Sequence, residues 1–188
     1  MGLPDALGHA SRAPVAGALL AVAPERADLI DRPLEFFLAD NDRRRALCGA
    51  LRRIVDAQTM SRAEARRLSA FLVRDLDLRR RDALEDFFPA LRRRARPTDE
   101  LEPVLARLTE EGRAPDRLRK QLEKALADPA EGETLKLRKP LTEAIRAFVD
   151  RELRCVAIEN GIVLAIAGLR LQPADLAAIS AGMRGRRA

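Results

Sequence analysis

Apolar residues recur three and four positions apart over long stretches of this chain, the period at which an α-helix gathers them on one face. The first stretch opens at "DRPLEFFLADNDRRRALCGALRRIVDA": Asp31 is placed to cap a helix, Pro33 falls in its first turn, and the spacing continues to about Val55. Ser61 followed by Glu64 is a capping-box signature. The row from there through Leu68, Leu72 and Leu76 to Phe87 predicts a second, long helix that Pro89 kinks or ends. A third helix is predicted from a cap at Thr98 or Asp99, disturbed by Gly112 and Pro115 and closed by the loop-like "ADPAEGE". Pro140 opens a fourth, running through Phe148 and Glu159 to about Leu169. A short fifth starts at Pro173, with basic residues at the end where a helix dipole favours them.

No stretch shows the two-residue alternation of a half-buried strand, so the expected fold class is all-α. Four long amphipathic helices joined by short to moderate loops most simply close as an up-down-up-down four-helix bundle. On this reading residues 31–182 are the bundle, with the short C-terminal helix at its end. Residues 1–30, with several Pro and Gly and no sustained period, are an N-terminal extension that drapes an apolar patch onto the body, and 183–188 are a basic C-terminal tail.

Composition narrows the function classes. A chain of 188 residues, 47% hydrophobic and 34% charged, is one domain with a real core. A net charge of +6 permits anionic partners, but the basic residues are interleaved with 29 acids along the whole chain, the pattern of a solvated surface. Only four of the 35 basic residues are Lys, so arginine number alone proves little. The triplets Arg43–Arg45, Arg79–Arg81 and Arg92–Arg94 come without Trp or Tyr, a helix-turn-helix or a Gly-rich phosphate loop, and support at best nonspecific contact with a nucleic-acid backbone. Cys48 and Cys155 sit far apart in predicted helices with no CxxC pair, which fits buried, inert thiols in a reducing cytoplasm. The most apolar run, "PVAGALLAVAP", is too short to span a bilayer and lacks a basic start or a cleavage site, so neither a membrane nor export is expected. The one histidine, His9, lies in the extension, which leaves no Ser-His-Asp or Cys-His arrangement and no basis for an enzyme.

Helical spacing also identifies inward lines that carry polar residues. Leu34, Asn41, Cys48 and Val55 are seven apart, so Asn41 falls on a line that should be buried. The second helix runs Leu72, Leu76, Arg79, Ala83, Phe87, an apolar row that Arg79 interrupts. The fourth runs Phe148, Glu152, Cys155, Glu159, Ile162, although a competing stripe through Val149, Leu153 and Val156 would move both carboxylates to the edge.

The segments "DRPLEFFLADNDRRRALCGAL", "LEDFFPALRRR", "LARLTEEGRAPD" and "VAIENGIVLAIAGLRLQPADLAAIS", in this order over about residues 31–182, resemble the hemerythrin-like family of bacterial proteins. The resemblance implies a four-helix bundle around a non-haem di-iron centre used for oxygen binding, sensing or iron handling. The family's ligands are a His near the start of helix one, an HxxxE on helix two ahead of an "FP", a late His on helix three, and an HxxxE on helix four. Carried over by position, the helix-one His is matched by Asn41, the first HxxxE by Arg79 and Ala83, the helix-three His by Gly112, and the last HxxxE by Cys155 and Glu159. Every ligand histidine is missing.

A di-iron site needs imidazoles or bridging carboxylates converging on two metal positions. Here Glu159 is the one well-placed carboxylate, with Asp40, Asp82 or Asp116 as candidate helpers, while a guanidinium at Arg79 carries only donors and repels a cation. Two arrangements follow. Arg79 stands in for the metal as a fixed positive charge paired with Glu159, with Asn41 and Glu152 completing the hydrogen bonds, because an unpaired buried carboxylate is costly. Otherwise Arg79 snorkels to the surface and Glu159 faces water. The expected function is a hemerythrin-like scaffold without metal or other cofactor, a non-catalytic interaction, regulatory or structural protein whose Ala-rich outer faces could pair in a homodimer. Its partner protein is not named by the sequence. The alternatives are a remnant carboxylate site for Fe, Mn or Zn built from Asp40, Asp116 and Glu159, and a basic helical module on an anionic polymer.

Overall fold

The computed structural model describes residues 17–113, 115–128 and 132–188, and His9 lies outside them. The described chain is all-α apart from one two-stranded ribbon. After a 3-10 turn at Ala27–Leu29 comes α1 (Pro33–Ala57), a helix of 25 residues. Asp31 does not cap it: its carboxylate engages Arg184, and the helix starts on Arg32 with no side-chain cap. Pro33 explains why that suffices, since its fixed φ suits the first turn and it has no N–H to satisfy there.

Gln58 ends α1 in the left-handed region at φ 58°, turning the chain into β1 (Thr59–Ser61). This strand pairs antiparallel with β2 (Thr134–Lys136), Met60 facing Leu135. The expectation of no strand is corrected here. Three residues are too few for alternation to stand out, yet Met60 and Leu135 are buried while their neighbours are not, the inside-outside pattern of a strand.

Ser61 then caps α2 (Arg62–Ala70) through the capping box with Glu64. The helical rod over 62–94 continues as a π turn (Phe71–Asp75), α3 (Leu76–Arg81), a second π turn (Asp82–Phe87) and α4 (Phe88–Arg94). Pro89 neither ends nor breaks it, because it comes after the π turn with one residue between, in the first turn of α4, where its missing N–H is tolerated. The third predicted helix is two: α5 (Leu101–Glu111) and α6 (Asp116–Ala127), separated at Gly112 and Pro115. Thr98 and Asp99 lie in a 3-10 turn ahead of α5 rather than at its cap, which is Glu100. The last rod, over 139–170, joins α7 (Lys139–Ile158), a third π turn (Glu159–Val163) and α8 (Leu164–Arg170). Helix α9 (Pro173–Gly185) follows, three residues longer than expected at its end. Arg186 and Arg187 fold back onto Asp82 at 2.8 and 2.7 Å rather than trailing into solvent as a tail.

Helix α1 packs along α7, and two apolar clusters form at the two ends of this pair. One gathers Leu47, Leu51, Ile54, Leu68, Phe71 and Phe148, and receives Leu19 of the N-terminal extension. The other gathers Phe36, Phe37, Phe87, Leu105, Val163 and Ile179, with Phe37 and Phe87 stacked at 4.5 Å between ring centres. Each fully buried side chain of this size contributes about 1.5–3 kcal/mol. Between the two clusters, α1 carries Asp40, Asn41, Arg43 and Arg44, all buried. Among the described residues no helix is long and apolar enough to cross a membrane.

Candidate functional site

A charged layer thus lies in the interior, and its arginines are the centre of it. Arg44 reaches across from α1: its Nε and Nη2 lie 2.9 and 2.8 Å from Glu152 Oε2, its Nη1 donates to Asn41 Oδ1 at 2.9 Å, and the same Nη1 lies 3.2 Å from both oxygens of Glu159. Arg79 enters from α3 with Nη2 2.5 Å from Glu159 Oε2 and Nε 3.2 Å from Asp40 Oδ2. The plane of Arg79 sits over the Phe37 ring, 4.1 Å from its centre, so the guanidinium meets π density on one side and carboxylates at its edge. Arg43 closes the layer, donating to Asp40 at 3.0 Å and to Asp75 at 2.8 Å beside the Phe71 ring. The side-chain amides of Asn41 and Asn160 lie 2.7 Å apart.

The energetics follow from burial. Taking Glu159 out of water raises its carboxyl pKa, but the charges of Arg79 and Arg44 outweigh this and hold it below the usual range. For Arg44 burial pulls downward, and Glu159 and Glu152 more than reverse it, so that guanidinium stays charged. The two thiols face the other way: burial, with Glu152 nearby, pushes both Cys48 and Cys155 up to about 12.

The π turns place these acids. Asp75 closes the first, Asp82 opens the second and Glu159 opens the third, and each of the three engages buried or half-buried arginine. An extra residue per turn shifts the helix face, so an acid at such a turn reaches inward where a regular helix would carry it past.

Of the positions identified from the sequence, Arg79, Ala83, Gly112, Cys155 and Glu159 line one small cavity of about 50 Å³, together with Arg44. Asn41 lies beside it, bonded to Arg44 rather than to Arg79. Gly112 ends α5, and a Cβ there would stand 2.9 Å from the Leu108 carbonyl, so any larger residue displaces backbone. Both stripes of α7 are buried, Glu152 and Cys155 on one and Val149 and Val156 on the other, because the helix is packed on two sides. Asp40 belongs to the layer, whereas Asp82 pairs with Arg186 and Arg187 at a separate place, and Asp116 is exposed on α6. The three carboxylates of the remnant site, Asp40, Asp116 and Glu159, are therefore not brought together. Among the described residues no group of three or more His, Cys, Asp or Glu is arranged to hold a metal ion.

The sequence pattern did not single out Arg44, the most connected residue of the layer. The signal was present: a path in steps of three and four from Asn41 passes through Arg44, Cys48, Leu51 and Val55, and only the seven-residue repeat skipped it. Of the arginine triplets, read as candidate nucleic-acid contacts, three members are buried and five others form pairs with acids at the surface. Arg43, Arg44 and Arg79 are buried, and Arg45, Arg80, Arg81, Arg92 and Arg94 pair with Asp42, Asp77, Glu85, Glu102 and Asp175.

Compared with protein-family models, with curated proteins and with solved structures, the chain matches none.

Proposed function

We propose that this protein is a hemerythrin-like scaffold in which arginine has replaced the metal, acting as a non-catalytic interaction or structural protein. In this reading the rods over 33–57, 62–94, 101–127 and 139–170 are the four members of an up-down-up-down bundle, with α9 packed on its end. One observation carries the reading: five of the six residues carried over to the family's ligand positions, all but Asn41, line a common cavity, and the guanidiniums of Arg44 and Arg79 line it with them. A di-iron centre does not fit that donor set. Guanidinium groups offer no lone pair to a metal, and the cavity's two carboxylates are already engaged, Glu152 by Arg44 and Glu159 by Arg44 and Arg79. The acid–arginine layer then does for the fold what the metal does in a hemerythrin, tying three helical rods together through the middle. Asn41, Ala83, Gly112 and Cys155 are the scaffold's vacated ligand positions. The interior thiols suit a reducing cytoplasm. Burial of Arg43, Arg44 and Arg79 and the pairing of Arg45, Arg80, Arg81 and Arg92 with neighbouring acids disfavour nucleic acid as the partner.

The test is metal analysis of the purified protein together with its optical spectrum. The expected result is iron, manganese and zinc well below one per chain, no oxo-bridged iron absorption, and no change in Tm on anaerobic addition of ferrous iron. Stoichiometric iron with the corresponding bands overturns the reading.

A further inference from the structure

Away from the charged layer, residues 19–25 roof a cavity of about 390 Å³ over α1 and the start of the rod 62–94. Its floor is apolar, formed by Leu47, Ala70, Phe71 and Leu78, and Leu19 and Val22 close it from above. The positions contributed by the rod are three and four apart, Arg67, Ala70, Phe71, Arg74 and Leu78, so a single helix face lines it. The roof is fastened at both ends. Glu64 accepts the backbone N–H groups of Gly17 at 3.1 Å and Leu19 at 3.3 Å, and Glu25 is held by Arg187 at 2.6 Å.

The charges around this cavity are unbalanced. Its two acids are already neutralised, Asp75 by Arg43 at 2.8 Å and Glu25 by Arg187. Its two exposed arginines are not: Arg67 donates only to the Val22 carbonyl, and Arg74 has no partner among the described residues. A cavity of ligand size with an apolar floor and uncompensated guanidinium among its charged walls suits one kind of guest. We propose that this cavity binds a fatty-acid-like carboxylate, its head at Arg67 and Arg74 and its chain along Leu47, Phe71 and Leu78. The proposal stands apart from the metal-free scaffold reading, since the only residues it shares with the charged layer are Arg43 and Asp75, already paired with each other.

The probe is decanoate titrated into the full chain by isothermal calorimetry, with decanol and decyltrimethylammonium as controls carrying the same tail. Saturable binding of one decanoate per chain is expected, at least tenfold weaker for decanol and absent for the cation. Arg74→Met, at a residue with no partner to lose, should weaken decanoate tenfold or more at unchanged Tm, and Leu78→Gln should weaken decanoate and decanol alike. No saturable decanoate binding, equal affinity for decanoate and decanol, or an Arg74→Met variant that binds as well as the parent chain overturns the proposal.

Discussion

Arg44 Nη1 stands 3.2 Å from each carboxylate oxygen of Glu159, a residue 115 positions further along the chain. The same guanidinium binds Glu152, so α1 and the rod over 139–170 are joined by one side chain that no other residue type can imitate. A planar fork with five donors satisfies three partners at once, whereas an ammonium is a single point charge.

That geometry ranks the variants. Arg44→Met leaves buried Glu152 with only Arg151, at 4.0 Å, and Glu159 with Arg79 alone, and should cost about 3 kcal/mol, with Arg44→Lys recovering only part of it. Arg79→Met is milder, because Glu159 keeps Arg44 and Met conserves contact with Phe37. The direct measure is a cycle of Arg79→Met and Glu159→Gln in urea. A coupling of about 1 kcal/mol or more is expected from a 2.5 Å contact, and additive effects would show that the two side chains touch without stabilising each other.

How far the interior was legible follows from the same residues. The capping box at Ser61 and Glu64 and the long periodic rows yielded the rods, because their signals are local and repeat over many turns. The ribbon was invisible, since three-residue strands paired 75 positions apart leave no local trace, as Met60 opposite Leu135 illustrates. Arg79 and Glu159 stood out because each interrupts an apolar row, and Arg44 was hidden within a run of three arginines that reads as solvated surface. A charged residue in a charged neighbourhood gives no sign of burial. Its partners Glu152 and Glu159 sit on a distant helix, and only packing reveals which arginine of the run turns inward.

Acid should weaken the fold through carboxyls whose pKa is lowered in the folded state. Asp99, held by Arg170 and by the Arg96 backbone N–H, falls from 3.8 to about 2, and Glu159 is also lowered. A depressed folded pKa contributes stability that is complete above the unfolded value and disappears as pH falls through the folded one. The urea midpoint should therefore be flat from pH 7 to about 5 and decline below about 4.5. Asp99→Asn should flatten the segment between about 4 and about 2 without altering the rest, and an unchanged profile in that variant would remove Asp99 from the account.

The thiols provide a probe of the layer from its two flanks. Cys48 donates toward the Val149 carbonyl and Cys155 toward Glu111, and burial pushes both pKa values up to about 12. At pH 8 a thiol with that pKa is about a thousandfold poorer in thiolate than a free cysteine, before any loss of access. Native protein should therefore react with iodoacetamide at least three orders of magnitude more slowly than the same chain in urea, with both cysteines labelled once it unfolds. Because Glu152 contributes to holding both thiols protonated while Arg44 opposes it, Arg44→Met should slow native labelling at Cys155 further if the helices stay in place. Faster labelling in that variant would instead show that Arg44 is what keeps α1 and α7 closed, since opening exposes the sulfur. Mass-spectrometric labelling rates at the two positions, compared with the stability of the same variant, separate these outcomes.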